Sequence, residues 1–584
     1  MKLINILKTL VISLYLSLKR FPVAIALSTA NSLILVYLNH NEQYLSTDVK
    51  DILGRTAMVL ALGIPITLSI KLIFERKEGM ILPLKAVVYA LGAASLALYY
   101  FFLLQNFKMV PVSRYIALSL AFYLTFLFIP YFYRRNGFEL YVIKLFTRFC
   151  TTVIYSIVLY LGIVAIIFTL DKLLGVPVTS KIYMDVWIVT AGIFAPSFFL
   201  AGVPGYMETM EVQDFPKLFR VLLLYIVMPI ISIYTAILYI YFVKVIFTFQ
   251  WPVGLVAHLV LWYSLISVVT IFFIAPLEEH NRWVRLFIFW LTKLILPLTI
   301  MMFFSVGIRV QAYGITENRY YVIILGLWAF CIMAYLSISK VRRNILLTVS
   351  LSILAILTVF GPWSSYSISK LSQNMRLENI LTRNSMLQAG KVVEPAAEIT
   401  KEDKQEITEV LKYFSSNHKL RDIRVLPGDF KLENTKDVFG FPYEEYSYSR
   451  HNQRYFSYNC DILDKAVDIQ GYDYFLTVRN YSPTASTPDN RLEVRFDAAK
   501  YELRLLSQGK EVYKKSVQEL GQQLHQKYGT ADKHSLAPTE MTFVDENERV
   551  RTKIIFQNIN GNIGVEDKEL KINSMDFYLM VDLK

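Results

Sequence analysis

The chain of 584 residues is 54% hydrophobic, with Lys+Arg 60 against Asp+Glu 47 and a formal net charge of +13. Soluble domains are about 45–50% apolar, and apolar runs near twenty residues point to helices crossing a ~30 Å hydrocarbon layer, not to the ten-residue alternating strands of a barrel. Nucleic-acid binding is excluded by where the charge lies: residues 1–390 hold 32 Lys+Arg against 15 Asp+Glu, whereas residues 391–584 hold 28 against 32, so the cations sit in short loops between spans, where topology demands them.

At the N-terminus, Lys2, Asn5, Thr9, Ser13, Ser17 and Arg20 recur at three- and four-residue steps among Leu, Ile and Val. This stripe predicts an amphipathic helix over 1–20 lying in the membrane interface. Lys8 and Lys19-Arg20 break up the apolar run that a cleaved signal peptide would need.

Residues 21–361 form the transmembrane domain, an α-helical multi-pass bundle of about 11 spans. The spans are expected near 21–38, 56–74, 86–104, 115–133, 149–170, 184–203, 220–243, 253–275, 284–308, 320–339 and 344–361. With the N-terminus cytoplasmic, inside loops such as those holding Arg76-Lys77, Arg134-Arg135 and Arg342-Arg343 carry roughly twice the Lys and Arg of the outside loops. An odd number of crossings then puts the C-terminal domain on the extracytoplasmic side.

Ionisable and polar groups at membrane depth are candidates for function. Lys293 lies about nine residues into its span, so ~13 Å deep by helical rise; the alternative is that it snorkels to the headgroups. His258 and Asn31 are the other two candidates, with ordinary hydrogen bonding to a neighbouring helix as the competing role. The spans around Pro229 and Pro297 share a Leu/Ile-rich approach and a following cation, Lys244 and Arg309, a weak internal repeat of the kind transporters carry.

No phosphate-binding loop, dinucleotide fingerprint, HExxH, GxSxG, CxxC or EF-hand loop occurs. The seven histidines show no metal-ligand spacing, and neither a catalytic residue, a metal site nor a cofactor is expected. Two segments stand out. Arg309 to Tyr321 reads as a tight outside hairpin in which Gly314 permits the turn, Thr316 caps the next helix, and Tyr320 and Tyr321 sit at interface depth. Arg309, Tyr313, Gly314, Thr316, Asn318 and Arg319 are its candidate functional residues. Phe360 to Leu377 ends the last span at Gly361-Pro362, anchors it with Trp363 and opens a polar connector helix within 362–390. These segments, with Gly63-Ile64-Pro65 and Ile73-Phe74-Glu75-Arg76, resemble the bacterial membrane family catalogued as domain of unknown function 4153. The resemblance implies a multi-pass protein of the bacterial cytoplasmic membrane and transfers no catalytic residues.

Residues 391–584 are expected to form a soluble α+β domain with antiparallel sheet. A helix over 402–416 lines Ile407, Val410, Leu411 and Phe414 along one face. Strands are expected at 472–478, 492–496, 501–506, 511–515, 542–544, 550–556 and 577–581, with a helix at 516–528. Cys460 is the lone cysteine here, so no disulfide staples the domain. Tyr443, Tyr446, Tyr448, Tyr455, Phe456, Tyr458, Tyr472 and Tyr474 suggest an aromatic binding face, with burial in the sheet core as the competing role.

Three functions fit. The first is an envelope protein whose outer domain binds a protein, peptide or polysaccharide partner, with the lipid bilayer around its bundle. The second is a transporter or flippase with a path past Lys293 and His258. The third is a membrane-embedded transferase using Glu208, Glu211 and Asp214, or Glu278 and Glu279.

Overall fold

The computed structural model describes residues 15–76, 81–132, 137–205, 211–248, 255–339, 341–395, 399–443, 453–460, 467–479, 484–487, 491–497, 500–528, 535–564 and 570–584. The chain divides into two compact units, Met1–Glu444 and Glu445–Lys584. Of the interfacial helix expected over 1–20, residues 15–20 are helical, and the remainder lies outside the described residues.

Among the described residues ten helices are long and apolar enough to cross a membrane: α1 (Pro22–Asn41), α2 (Thr47–Arg76), α3 (Leu82–Leu103), α4 (Met109–Tyr131), α5 (Phe138–Leu174), α6 (Ser180–Ala201), α7 (Lys217–Thr248), α8 (Val256–Leu277), α9 (Arg282–Tyr313) and α10 (Glu317–Ile338). Each coincides with one expected span. The eleventh differs: α11 (Ile345–Leu357) has 13 residues and rises only about 20 Å. It lies along α4, where Ser352 Oγ donates to the Ala121 carbonyl at 3.0 Å. Its helix stops short because the chain turns at Gly361 (φ +84°) and the Ser365 amide folds back onto the Thr358 carbonyl.

α9 shows how these helices are positioned. Asn281 caps it by accepting from the Trp283 and Val284 amides at 2.9 and 3.4 Å. Val284, Phe287, Ile288, Leu291, Ile295, Leu298, Met302 and Val306 are buried along one stripe, three and four residues apart as packing of a helix face requires. Phe289, Ile300 and Phe304 are exposed on the opposite side.

Beyond the spans, α12 (Ser365–Arg383) is capped by Ser364, β1 (Leu387–Gln388) pairs antiparallel with β2 (Lys391–Val392), and α13 (Lys401–Asn417) is capped by Thr400. The face expected on this helix is fully buried: Ile407, Val410, Leu411 and Phe414 pack with Leu377, Ile380 and Leu381 of α12. The division expected at 390/391 therefore differs from the observed boundary at 444/445. The apolar stripe of α13 has its complement on the connector helix.

The second unit is strand-rich. Its larger sheet runs β4 (Tyr474–Val478), β12 (Leu570–Leu583), β11 (Val550–Gly564), β3 (Gln453–Cys460), β9 (Ser535–Leu536), with β10 (Thr542–Glu546) also paired to β11. The smaller runs β5 (Thr484–Ser486), β6 (Leu492–Asp497), β7 (Glu502–Ser507), β8 (Lys510–Ser516). All these pairings are antiparallel except β3 with β9. The two sheets share one core in which the Phe577 ring meets Phe496 of the smaller sheet at 5.5 Å and Phe556 of its own at 5.8 Å. α14 (Val517–Tyr528) packs Leu520 and Leu524 into the same core.

The aromatic face expected from the sequence is only partly external. Phe456 and Tyr458 are core residues of β3, since their strand runs beside the long β11. Tyr472 and Tyr474 are half-buried. Tyr446, Tyr448 and the Tyr455 side chain lie outside the described residues. Cys460 is buried as well.

Candidate functional site

The hairpin between α9 and α10 meets the connector helix α12, so the two segments singled out in the sequence form one site. Gly314 has φ +68° and ψ 178°, a backbone conformation essentially confined to glycine. A Cβ there would stand 2.8 Å from Gln373 Nε2. That nitrogen donates to the Tyr313 carbonyl at 3.0 Å and the Ile315 carbonyl at 3.1 Å. The Ile315 amide donates to Ser372 Oγ at 2.8 Å. Arg319 Nη1 donates to the Tyr313 and Gly314 carbonyls at 3.3 and 2.7 Å. The turn's backbone groups thus find partners on α12 and α10, as buried groups must.

Thr316 stands at the N-cap of α10, but its hydroxyl makes no capping bond. This corrects the expected cap; Arg319 holds the turn instead. Asn318 is exposed. Tyr320 is buried and donates to the Trp363 carbonyl at 2.6 Å, while Tyr321 accepts from Ser365 Oγ at 3.2 Å, so both tyrosines fasten the hairpin to the start of α12.

Glu317, the first residue of α10, accepts hydrogen bonds from Tyr413 Oη and His418 Nε2, each at 2.7 Å. The His418 side chain is 3% exposed. Burial, then the hydrogen bond and charge of Glu317, push the Tyr413 phenol well above its ordinary pKa. Asn374 extends the joint, donating to the Asp422 carbonyl at 3.1 Å and accepting from the Arg424 amide at 2.8 Å. Sequence reasoning singled out the segment holding Gln373 without giving that residue a role, and passed over Tyr413 and His418. Their only local signal is a polar residue on an otherwise apolar helix face or at its end.

Arg319 and Arg376 both stand over the Tyr313 ring, with guanidinium carbons 5.5 and 5.7 Å from its centroid. Arg309, one turn before Tyr313, is half-buried, and its Nε is buried with no hydrogen-bond partner among the described residues.

The intramembrane candidates do not converge. Lys293 is exposed on the outward stripe of α9 with Phe289, its Nζ 3.4 Å from that ring's centroid. His258 is half-buried in α8. Asn31 is half-buried in α1, its Oδ1 buried without a hydrogen-bond partner among the described residues. A cation of the bundle that the sequence reading passed over is Arg148 of α5, which donates to the Phe198 carbonyl at 2.7 Å and stands 3.9 Å over that residue's ring. A lateral cavity of about 530 Å³ lies between helices of the bundle, lined by residues including Leu68, Phe126, Phe149, Thr152, Pro196 and Phe199. Lys293, His258 and Asn31 are not among its lining residues.

Of the carboxylates considered for transferase chemistry, Glu278 is held by Arg342 at 2.6 Å, and Glu211 and Glu279 are exposed. Glu208 and the Asp214 side chain lie outside the described residues. Among the described residues no group of three His, Cys, Asp or Glu side chains stands close enough to hold a metal ion.

The chain is similar to the uncharacterized protein PM1469 of Pasteurella multocida (strain Pm70), 20% identical over 424 residues that cover 71% of this chain and 70% of that protein. No solved structure matches. The family model described as domain of unknown function (DUF4153) matches residues 23–391, from α1 through the hairpin and connector, and the chain belongs to that family.

Proposed function

We propose that this multi-pass membrane protein is an envelope protein of the bacterial cytoplasmic membrane whose strand-rich unit binds a protein, peptide or polysaccharide partner outside the cytoplasm. The observation that carries this reading is an aromatic and cationic face on the larger sheet. Phe475 of edge strand β4 is 46% exposed and packs on Tyr578 at 5.1 Å. Cross-strand pairing aligns Phe475 with Met580, Lys553 and Val544; Val544 is 55% exposed, whereas Met580 is fully buried and interrupts the exposed row. Tyr472 lies under the Arg551 and Lys553 cations at 5.4 and 6.0 Å. Exposed aromatic groups beside cations are the composition of recognition surfaces.

The orientation rests on the excess of Lys and Arg in one set of loops and on counting α11 as a crossing, supported by its packing along the membrane-length α4. Cys460 is buried, so the test introduces a thiol in the exposed β7–β8 turn, Lys510→Cys. A membrane-impermeant maleimide should label it in intact cells; labelling only after permeabilisation would refute the extracytoplasmic placement. A photo-crosslinking residue at Phe475 or Val544 of the full chain should then give one discrete adduct that the same residue at Lys510 does not. Equal or absent adducts at all three would refute the binding face.

A second reading, handling of a lipid-like substrate within the bundle, is favoured by the lateral apolar cavity, whose size and lining suit an acyl chain. Lys293 stands on the outward stripe of α9 and is not among the residues lining that cavity.

A further inference from the structure

We infer that Arg309, Arg319 and Arg376 form a binding site for a phosphate-bearing anion at the membrane surface. The residues come from three places in the chain: the last turns of α9, the first turn of α10 and the middle of α12. The hairpin geometry that the buried Gln373 imposes on Tyr313, Gly314 and Ile315 brings them together. Arg319 and Arg376 share the Tyr313 ring, Arg309 stands one turn before Tyr313 on α9, and Arg319 feels the charges of Arg309 and Arg376 against the single carboxylate of Glu409, which it shares with Arg376.

The acidic neighbours do not balance this cluster. Arg376 is paired with Glu409 at 3.1 Å and reaches Glu406 only at 4.0 Å. Glu406 also faces Arg383 at 3.7 Å. Glu317 is taken by His418 and Tyr413. Arg309 and Arg319 have no carboxylate partner among the ion pairs of the described residues. The Nε groups of Arg309 and Arg376 are buried and unbonded. Gathering like charges and burying donors without acceptors both cost free energy. An anion offering several oxygens to planar guanidinium forks removes both costs, and phosphate geometry matches that fork.

Position selects the class of ligand further. The hairpin joins two membrane-length helices at their ends, which is headgroup depth. The ligand chemistry is therefore a phosphate mono- or diester or a diphosphate, supplied by a lipid headgroup or by a free anion from the adjoining water. This site is independent of the sheet face proposed above.

The test uses the full chain purified in mild detergent. The thermal midpoint and native mass spectra are followed while phosphatidylglycerol, a phosphate-free glycolipid with the same acyl chains, inorganic phosphate or pyrophosphate is added. Phosphate-bearing probes should bind and raise the midpoint where the glycolipid does not. A response to phosphatidylglycerol alone identifies a headgroup as the source; a response to the inorganic anions as well identifies the free anion. Arg309→Gln should weaken that binding about tenfold or more. Without ligand it should leave the midpoint unchanged or raised, because one of three like charges is gone. Arg309→Lys, which keeps the charge and loses the fork, should fall between. The inference is overturned if no phosphate probe exceeds the glycolipid, if exposed Lys108→Gln weakens binding as much as Arg309→Gln, or if Arg309→Gln lowers the ligand-free midpoint by several degrees, since Arg309 would then be structural.

Discussion

Glu317 and His418 lie 101 residues apart in the chain and 2.7 Å apart in space. One opens the helix α10, and the other ends α13, so their hydrogen bond ties a membrane-length helix to the layer built on the connector. Tyr413 closes the triangle, 2.7 Å from Glu317 and 3.0 Å from His418.

Breaking that triangle should loosen the layer. Removing one partner of a buried, hydrogen-bonded group leaves the other unsatisfied, at about 1–3 kcal/mol. Glu317→Ala and His418→Ala are each expected to lower stability by that amount. The double variant should cost less than the sum of the two, because the groups share one network. Thermal unfolding of the full chain in detergent measures it; strict additivity would mean the bond does not form.

Gly314→Ala is expected to destabilise by about 1–3 kcal/mol, the cost of forcing a side chain into a backbone region reserved for glycine. Gln373 cannot easily yield, since its nitrogen holds two carbonyls of the turn. Proteolysis between α9 and α10, absent in the parent chain, is the readout. Equal resistance of the two proteins would refute the tight hairpin.

Lys293→Ala should leave accumulation, the thermal midpoint and complementation of a deletion strain unchanged. A cation turned out of the bundle at membrane depth adds no stability that its removal would forfeit. Loss of complementation at normal accumulation would restore Lys293 to a transport path.

His525 in α14 shares a hydrogen bond with Tyr458 at 2.9 Å between Nδ1 and the phenol oxygen, and burial holds its pKa below the ordinary 6.5. The unfolded chain therefore takes up the proton first as the pH falls. Stability of the strand-rich unit is full above 6.5 and is lost as the pH drops from there through the depressed folded value. Hydrogen exchange of β3 and α14 between pH 7.5 and roughly 5 should show faster opening at the acid end. His525→Gln should flatten that dependence, and an unchanged slope would assign it to other groups.

Much of the architecture is legible locally. The helix over 402–416 was apparent from Ile407, Val410, Leu411 and Phe414 alone, because the opposite face is charged. β6 is apparent from alternation, and β7 and β8 from the hairpin turn Ser507-Gln508-Gly509-Lys510 between them. Phe456 and Tyr458 were not, because an aromatic strand buried between other strands and an aromatic surface have the same composition. β12 is far longer than the expected 577–581, since the residues before Phe577 pair with the distal half of β11, a contact that local periodicity does not carry.

The sequence by itself determined the membrane class, ten of the spans, the glycine turn at 314 and a strand-containing C-terminal part. Run length, special backbone residues and period-two alternation are properties of neighbours in the chain. The tertiary structure decided which polar groups meet: Gln373 with the hairpin, Glu317 with His418, Arg319 and Arg376 over Tyr313, and Lys293 turned outward. In the bundle nearly every face of a helix is apolar, so no periodic contrast tells the packed side from the lipid side. Only contacts between distant segments select among them.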